Sequence, residues 1–345
     1  RLQWVGPGAR LGFQTSNASS TLWGLEATGG TERQITPDSI RVGGFRVSPD
    51  GSQVAYVVER GGGVTDLQVV PLAGGPPRVL VAGSYENRLA GWSPDGQTIL
   101  FESNRGGNVD VWSVSAAGGA PQQLTNWPTY ETNPAWTPDG SGIHFVSDRD
   151  ATLRDIWLVP ATGGEPRRIT TVGSVNAITQ SSTSPDLFVI LLGGRAGQFV
   201  LARLDADGSL RTLWDRSNVG VVSPDAVMPR ADSVVINADL AEGGQGSFLI
   251  STRTGQGRQL LGKGELAADF SRDGTMLAYV FGGATQDLGI LNVKDGTTRR
   301  LTDTPEREAG YWWAGDSKTI VVARRSQRSR IATVDLTDLL TRVSR

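Results

Sequence analysis

The segment WSPDGQTILFESNRGGNVDVWSVSAAGGAPQQLT at residues 92–125 returns 44 residues later as WTPDGSGIHFVSDRDATLRDIWLVPATGGEPRRIT at 136–170. Self-similarity at a fixed period restricts a chain to architectures in which each unit buries its apolar surface against its neighbours. The turn SPDG at 48–51 recurs as SPDG at 93–96 and TPDG at 137–140. Fainter copies follow as SPD from Ser184, MPRAD from Met228, SRDG from Ser271 and AGDS from Ala314, and GPGA from Gly6 extends the series backwards. Anchored on positions 7, 49, 94, 138, 185, 229, 272 and 315, the spacings are 42, 45, 44, 47, 44, 43 and 43 residues. Eight units of this length use up the 345 residues.

Each unit has one anatomy. A stretch such as GFRV, LAGW, PAW, AADF or YWW leads into the turn. There proline presets φ, and Asp-Gly supplies a side-chain hydrogen bond and a residue tolerant of positive φ. A β-branched and aromatic run follows, as in VAYVV, TILFES or TIVVAR, then a polar loop and a third run such as DVWSV or DIWLVP. A tight GG or DG turn opens a fourth short strand, as in PQQLT or EPRRIT. Four hairpin-linked strands make one antiparallel sheet, and no stretch holds a helical period. Sheets apolar on both faces are satisfied by radial packing around an axis.

The expectation is therefore an all-β, eight-bladed propeller of four-stranded blades, with seven blades as the alternative. One domain spans residues 1–345, divided at 1–36, 37–81, 82–125, 126–170, 171–214, 215–261, 262–302 and 303–345. Small residues in the strand before the turn (Gly43, Gly44, Ala90, Gly91, Ala135, Ala267, Ala268) suit crowding near an axis. Trp92, Trp136, Phe270 and Trp313 are expected to pack between blades. The chain shows no strand obviously exchanged between first and last blades, so closure falls to side-chain packing or to residues beyond those visible.

Residues 134–170 resemble the TolB-like propeller repeat, which also occurs in the propellers of prolyl-oligopeptidase and tricorn-type peptidases and beside bacterial kinase or regulator domains. Units two, three, four and seven carry the resemblance best, whereas five and six depart from it at Pro185-Asp186 and Pro229-Arg230-Ala231-Asp232. The resemblance implies a propeller fold, a periplasmic or otherwise extracytoplasmic setting, and binding of partner proteins. Opening on Arg1 without a signal-like run, the chain reads as a processed protein or an excised portion with any targeting segment out of view.

Net charge −2 and a pI near 5.6 argue against a nucleic-acid surface. No run is long enough to span a bilayer as an apolar helix, so membrane association would be peripheral and through a partner. Without cysteine there is no disulfide, thiolate nucleophile or cysteine zinc site. The single histidine, His144, stands where other units have Ala55, Leu100, Ala278 and Val322, which favours a packed core residue over a catalytic one. A Ser-His-Asp triad would also lack its GxSxG elbow. Asp148, Asp150 and Asp155 form a weak calcium candidate that lacks the ligand spacing of an EF-hand loop. Their neighbourhood recurs as Arg60/Asp66 and Arg105/Asp110, which favours structural pairing. No cofactor is expected.

Seven positions before the turn anchor stand Asn87, Glu131, Glu265 and Glu308, with Tyr85, Arg88, Trp127, Tyr130, Asn133, Arg307 and Tyr311 nearby. These are expected to ring one mouth of the channel and to hold a cation, a basic peptide or a sugar, or else to form a solvated rim. The run RRSQRSR, with Arg324, Arg325, Arg328 and Arg330, is expected in the loop between the second and third strands of the last unit, as a docking loop for an acidic surface or as a solvated loop. The function expected is a non-catalytic scaffold that binds proteins, in the manner of an accessory subunit of an envelope or membrane-associated complex. The alternatives are a ligand-sensing propeller from a larger receptor, kinase or peptidase, and a carbohydrate-active enzyme using channel carboxylates.

Overall fold

The computed structural model describes residues 2–4, 10–29, 32–149, 153–180, 186–193, 199–205, 207–215, 223–227, 232–239, 243–282 and 286–335. Among them are seven antiparallel sheets and no helix, hence none long and apolar enough to cross a membrane. Six sheets are formed by consecutive four-stranded stretches: residues 42–81 (blade 1), 87–123 (blade 2), 132–168 (blade 3), 175–215 (blade 4), 223–261 (blade 5) and 266–300 (blade 6). The fold is a seven-bladed propeller.

Seven replaces the count of eight because the first and last units are halves of one blade. Arg307–Trp313 and Thr319–Asp335 are its first and second strands, Arg10–Glu26 its third and Glu32–Gln34 its outer strand. The two long strands pair without a break, from Glu26 opposite Thr319 to Arg10 opposite Asp335. The ring thus closes by interleaving strands from both ends of the chain, contrary to the expectation that no strand is exchanged. Beyond the blade the same pair continues as a ribbon over residues 10–18 and 326–335, joined by Leu2–Trp4. The GPGA element lies outside the described residues.

The core is distributed. Seven apolar clusters each draw on two adjacent blades. Strand alternation explains how one strand serves two of them. Ile99 and Phe101 of blade 2 pack toward blade 1, while Leu100 between them packs toward blade 3.

Two recurrent devices each hold four of the seven blades to the pattern. In the Pro-Asp-Gly turn, the Ser48 hydroxyl donates to Asp50 Oδ1 (2.5 Å) and accepts the Gln53 N–H (3.0 Å). Ser93, Thr137 and Ser271 repeat this arrangement. The hydroxyl and backbone donors hold Asp139 down at about 2. Gly51, Gly96, Gly140 and Gly274 turn the chain at φ of 70–76°, a region only glycine enters freely. At the outer strand, Thr36, Thr125, Thr170 and Thr302 each accept an N–H from the third strand through the hydroxyl, tying the blade's edge down.

The closing blade carries an ionic clasp. Arg324, on the second strand, makes a bidentate pair with Glu32 of the outer strand (2.6 and 2.9 Å). It also donates to Glu308 of the inner strand (3.1 and 3.2 Å) and lies 5.0 Å from the Trp23 ring of the third strand. The guanidinium holds Glu32 below its ordinary range, whereas burial pushes Glu308 up despite the same partner. Removing Arg324 leaves a fully buried carboxyl without its cation. Arg324→Met should therefore cost about 3 kcal/mol in urea unfolding, and pairing it with Glu308→Leu should recover most of that loss. An unchanged unfolding midpoint for Arg324→Met would show that the clasp contributes nothing to closure.

Candidate functional site: the central channel and the loop face

Every inner strand is bulged against its neighbour, with register shifts at Val42/Phe45, Leu89/Gly91, Thr132/Ala135, Val175/Ala177, Ser223/Ala226, Ala267/Asp269 and Ala309/Tyr311. A bulge bends its strand and re-aims the side chains after it. Those residues line a central cavity of about 530 Å³ with walls from blades 1, 2, 3, 4, 6 and 7. Pro49, Pro94 and Pro138 gather at one end of it, so the Pro-Asp-Gly turns share one face of the ring. The connections between blades, and the hairpins joining second to third strands, share the opposite, loop face.

Where blades 2 and 3 place Gly91 and Ala135, blades 1, 6 and 7 place Arg46, Asp269 and Trp312. The Arg46 guanidinium lies 4.2 Å over the Trp312 ring, and burial pulls its pKa down to about 10. Asp269 is pushed up to about 7 by burial, offset chiefly by the Trp313 N–H at 3.1 Å from its Oδ2. Indole donors stitch blade to blade: Trp92 Nε1 donates to the Arg46 carbonyl and Trp313 Nε1 to that of Asp269. At the turn face Arg272 donates to the Pro49 carbonyl, reaching from blade 6 to blade 1.

The residues expected to ring a mouth divide into two sets. Asn87, Glu131 and Glu308 are buried at the starts of inner strands and bonded within and between blades. Asn87 Oδ1 accepts from Ser103 and Arg105, and its backbone N–H donates to the Thr65 hydroxyl of blade 1. Glu308 accepts from Thr302 and Arg324. Tyr311 is half-buried, its hydroxyl donating to the Glu308 carbonyl at 2.6 Å, and burial raises its pKa. Glu265 is half-buried, its Oε2 accepting the Gly262 N–H. Trp127 is sandwiched beneath Arg149, 3.8 Å from its ring, and against Trp157. These positions supply the frame rather than a rim because neighbouring strands meet them with donors. The second set is exposed: Tyr85, Tyr130, Arg88 paired with Glu86, Arg307 bonded to Gln286, and Asn133, which takes φ of 54° and donates its N–H to Glu102.

The basic run is not a loop. Arg324 and Arg325 belong to the continuous strand Thr319–Asp335, Arg324 buried in its clasp and Arg325 exposed. Arg328 and Arg330 lie on the ribbon, with side chains outside the described residues. Of the calcium candidates, Asp155 is buried and bonded to Arg168, Thr170 and the N–H groups of Val172 and Gly173. Asp148 is half-buried, and Asp150 lies outside the described residues, among which no cluster of metal-ligating side chains occurs. His144 is half-buried on the second strand of blade 3, opposite Ala135 and Leu158. Arg46 and Asp269 went unread in the sequence. Their signal is a charge three residues before the turn anchor, where blades 2 and 3 carry Gly91 and Ala135.

A family model for the TolB β-propeller domain matches residues 46–261. The chain belongs to this family. Over 83 residues it is 32% identical to tricorn protease homolog 1 of Streptomyces coelicolor, a stretch amounting to 24% of this chain and 8% of that protein. Among solved structures, TolB from Acinetobacter baumannii superposes with a TM-score of 0.56 at 14% identity, covering 82% of this chain and 67% of its own. Oligogalacturonate lyase from Vibrio parahaemolyticus does so with a TM-score of 0.63 at 11% identity, covering 91% and 98%. Likeness at these identities is a likeness of fold.

At the junction of blades 2 and 3, Asp110 and Glu131 are both fully buried. Asp110 Oδ2 accepts from Gln123, and Glu131 Oε1 from Thr129 and Ser147. The two carboxyl groups are hydrogen-bonded to each other, with Thr125 and the Trp127 N–H also donating to Asp110, and burial raises both, which favours a proton held between them. Burial, with Asp110 facing it, pushes Glu131 from 4.5 up to about 8. Between these values the folded protein keeps a proton that the unfolded chain releases, so this pair's stabilisation is complete below 4.5 and lost as pH rises through 8. Glu131→Gln, neutral at every pH, should lose less stability than the parent between pH 6 and 9, by about 1.4 kcal/mol or more in denaturant titrations. Parallel losses in both proteins would mean the pair holds no proton.

Proposed function

We propose that this TolB-family propeller is a non-catalytic binding module that docks a protein partner on its loop face. One observation carries the reading. Of the six large apolar side chains exposed among the described residues, five (Tyr85, Tyr130, Leu153, Val172 and Leu192) stand on that face, on successive elements of blades 2 to 4. Tyr130 is 62% exposed and Leu153 55%. Such side chains gathered on one face favour a protein interface, and tyrosine is enriched among the residues that dominate binding energy. The rigid frame beneath supports presentation: Asn108 donates to the carbonyls of Trp127 and Thr129, so the loop bearing Tyr130 is pinned in place. Docking asks for no reacting group, in keeping with the use of Glu131 and Glu308 as internal struts. The family likeness supports an extracytoplasmic, periplasmic setting and the part of an accessory subunit in an envelope complex.

Photo-crosslinkers placed at residues 85, 130 and 153, in native extracts, should capture one shared partner, whereas the same label on the turn face at Gln97 should not. The double substitution Tyr130→Ser and Leu153→Ser should weaken capture about tenfold or more while leaving the melting temperature unchanged. Equal capture by this variant, or crosslinks confined to the turn face, would overturn the assignment.

A further inference from the structure

The channel is a separate surface from the loop face, and its wall is uneven. Arg46 brings five N–H donors to it. One donates to the Phe45 carbonyl at 2.9 Å, and among the described residues no carboxylate lies within ion-pairing distance. Its face is covered by Trp312, so the free edge of the guanidinium is what the cavity meets. A desolvated guanidinium with unmet donors is matched best by a carboxylate, which takes two parallel hydrogen bonds from the fork. Around it the cavity offers Trp92, Trp136 and Phe270 as apolar surface. The volume of about 530 Å³ falls within the usual range for small-molecule sites.

The remaining charges limit the ligand to one negative charge. Arg272, at the turn-face end, is already bonded to the Pro49 carbonyl. Asp269 and Glu102 are the carboxyl groups that line the same cavity, from blades 6 and 2. A polyanion seated on Arg46 would face both acids, with the second cation held at the turn-face end. We propose that the channel beside Arg46 binds a small organic monocarboxylate with a flat apolar body, the carboxylate on the guanidinium and the body against the indoles.

The proposal carries a pH signature. Asp269 accepts the Trp313 N–H of blade 7 and the Phe270 N–H of its own strand and is held down by the charge of Arg46, with Arg272 and Glu102 lining the same cavity. Burial sets its titration at about 7, so raising the pH through neutrality adds a negative charge beside the bound anion and weakens binding.

The test uses the full chain and three isosteric probes, benzoate, benzamide and benzamidine, followed by ligand-observed NMR and calorimetry at pH 6 and pH 8. Benzoate should bind, with benzamide and benzamidine at least about tenfold weaker. Arg46→Gln should reduce benzoate affinity about tenfold or more, and Arg46→Lys, which keeps the charge without the fork, should fall between. Asp269→Asn should retain binding and remove its weakening between pH 6 and 8. Equal affinity for benzoate and benzamide, a preference for benzamidine, or unchanged benzoate affinity in a folded Arg46 variant would each overturn the proposal. Should Arg46→Gln fail to fold, Arg46→Lys and the probe series decide the question by themselves. Because these measurements involve no protein partner, their failure leaves docking on the loop face untouched.

Discussion

The structure depends on burying two faces of every blade. Residues 99, 100 and 101 are all fully buried, and the same holds for 54–56 and 320–322. A strand with no solvent face cannot be satisfied by its own sheet, since its odd and even positions need different partners. Each blade therefore borrows half its core from the next, and the debt passes around until the ring returns to its start. Closure is the condition under which any single blade is stable. That explains why the two ends of the chain are woven into one sheet: Val321 and Ala323 join Leu22, Tyr56 and Val58 in one cluster, while Ile320 and Val322 join Leu25, Ala278 and Leu288 in the next.

The blade itself was legible in the sequence because its signals are local. Pro-Asp-Gly, the β-branched run after it and the terminal threonine each have a physical job inside one unit. Closure was not legible, because it is a relation between segments some 300 residues apart. LWGLE and ERQ hold strands three and four of a blade, YWW and TIVVAR strands one and two, and a local reading makes each half a unit of its own, with GPGA supplying the missing turn on one side. The arginine run misled for a related reason. Charge in sequence reads as solvated loop, but a residue paired across a long antiparallel register stays in the strand whatever its polarity, and Arg324 finds its counter-charges on strands that come from both ends of the chain.

The polar residues at strand starts show where composition loses its meaning. Asn87, Glu131, Glu265 and Glu308 share one position in the repeat, yet their partners differ: an arginine and a serine, a second carboxyl, a backbone amide, a second arginine. Buried polar pairs of this kind add little net stability against apolar substitutes, but mismatching them is costly. Asn87 and Glu308 are held by arginines of their own blades, Glu265 by an amide three residues before it, and Glu131 by a carboxyl of the preceding blade, so the position that reads as a candidate binding group in sequence is an internal strut.

The departures from the repeat are also placed unevenly around the ring. Exposed apolar side chains gather on the loop face of blades 2 to 4, whereas Arg46, Asp269 and Trp312 of the channel wall belong to blades 1, 6 and 7. This second region is the seam. Arg46 rests on Trp312 across the junction of blades 1 and 7, and Asp269 is held by Trp313 across that of 6 and 7. Both tryptophans sit on Arg307–Trp313, the inner strand of the woven blade, so the geometry of the channel pocket is set by the pairing that closes the ring. Undoing the pairing of the two chain ends would separate Arg46, on the N-terminal side, from Trp312, on the C-terminal side, and so dismantle the pocket. Ring closure and channel chemistry are therefore one physical event, and because each blade leans on the next, the presentation of Tyr130 and Leu153 depends on the same closure.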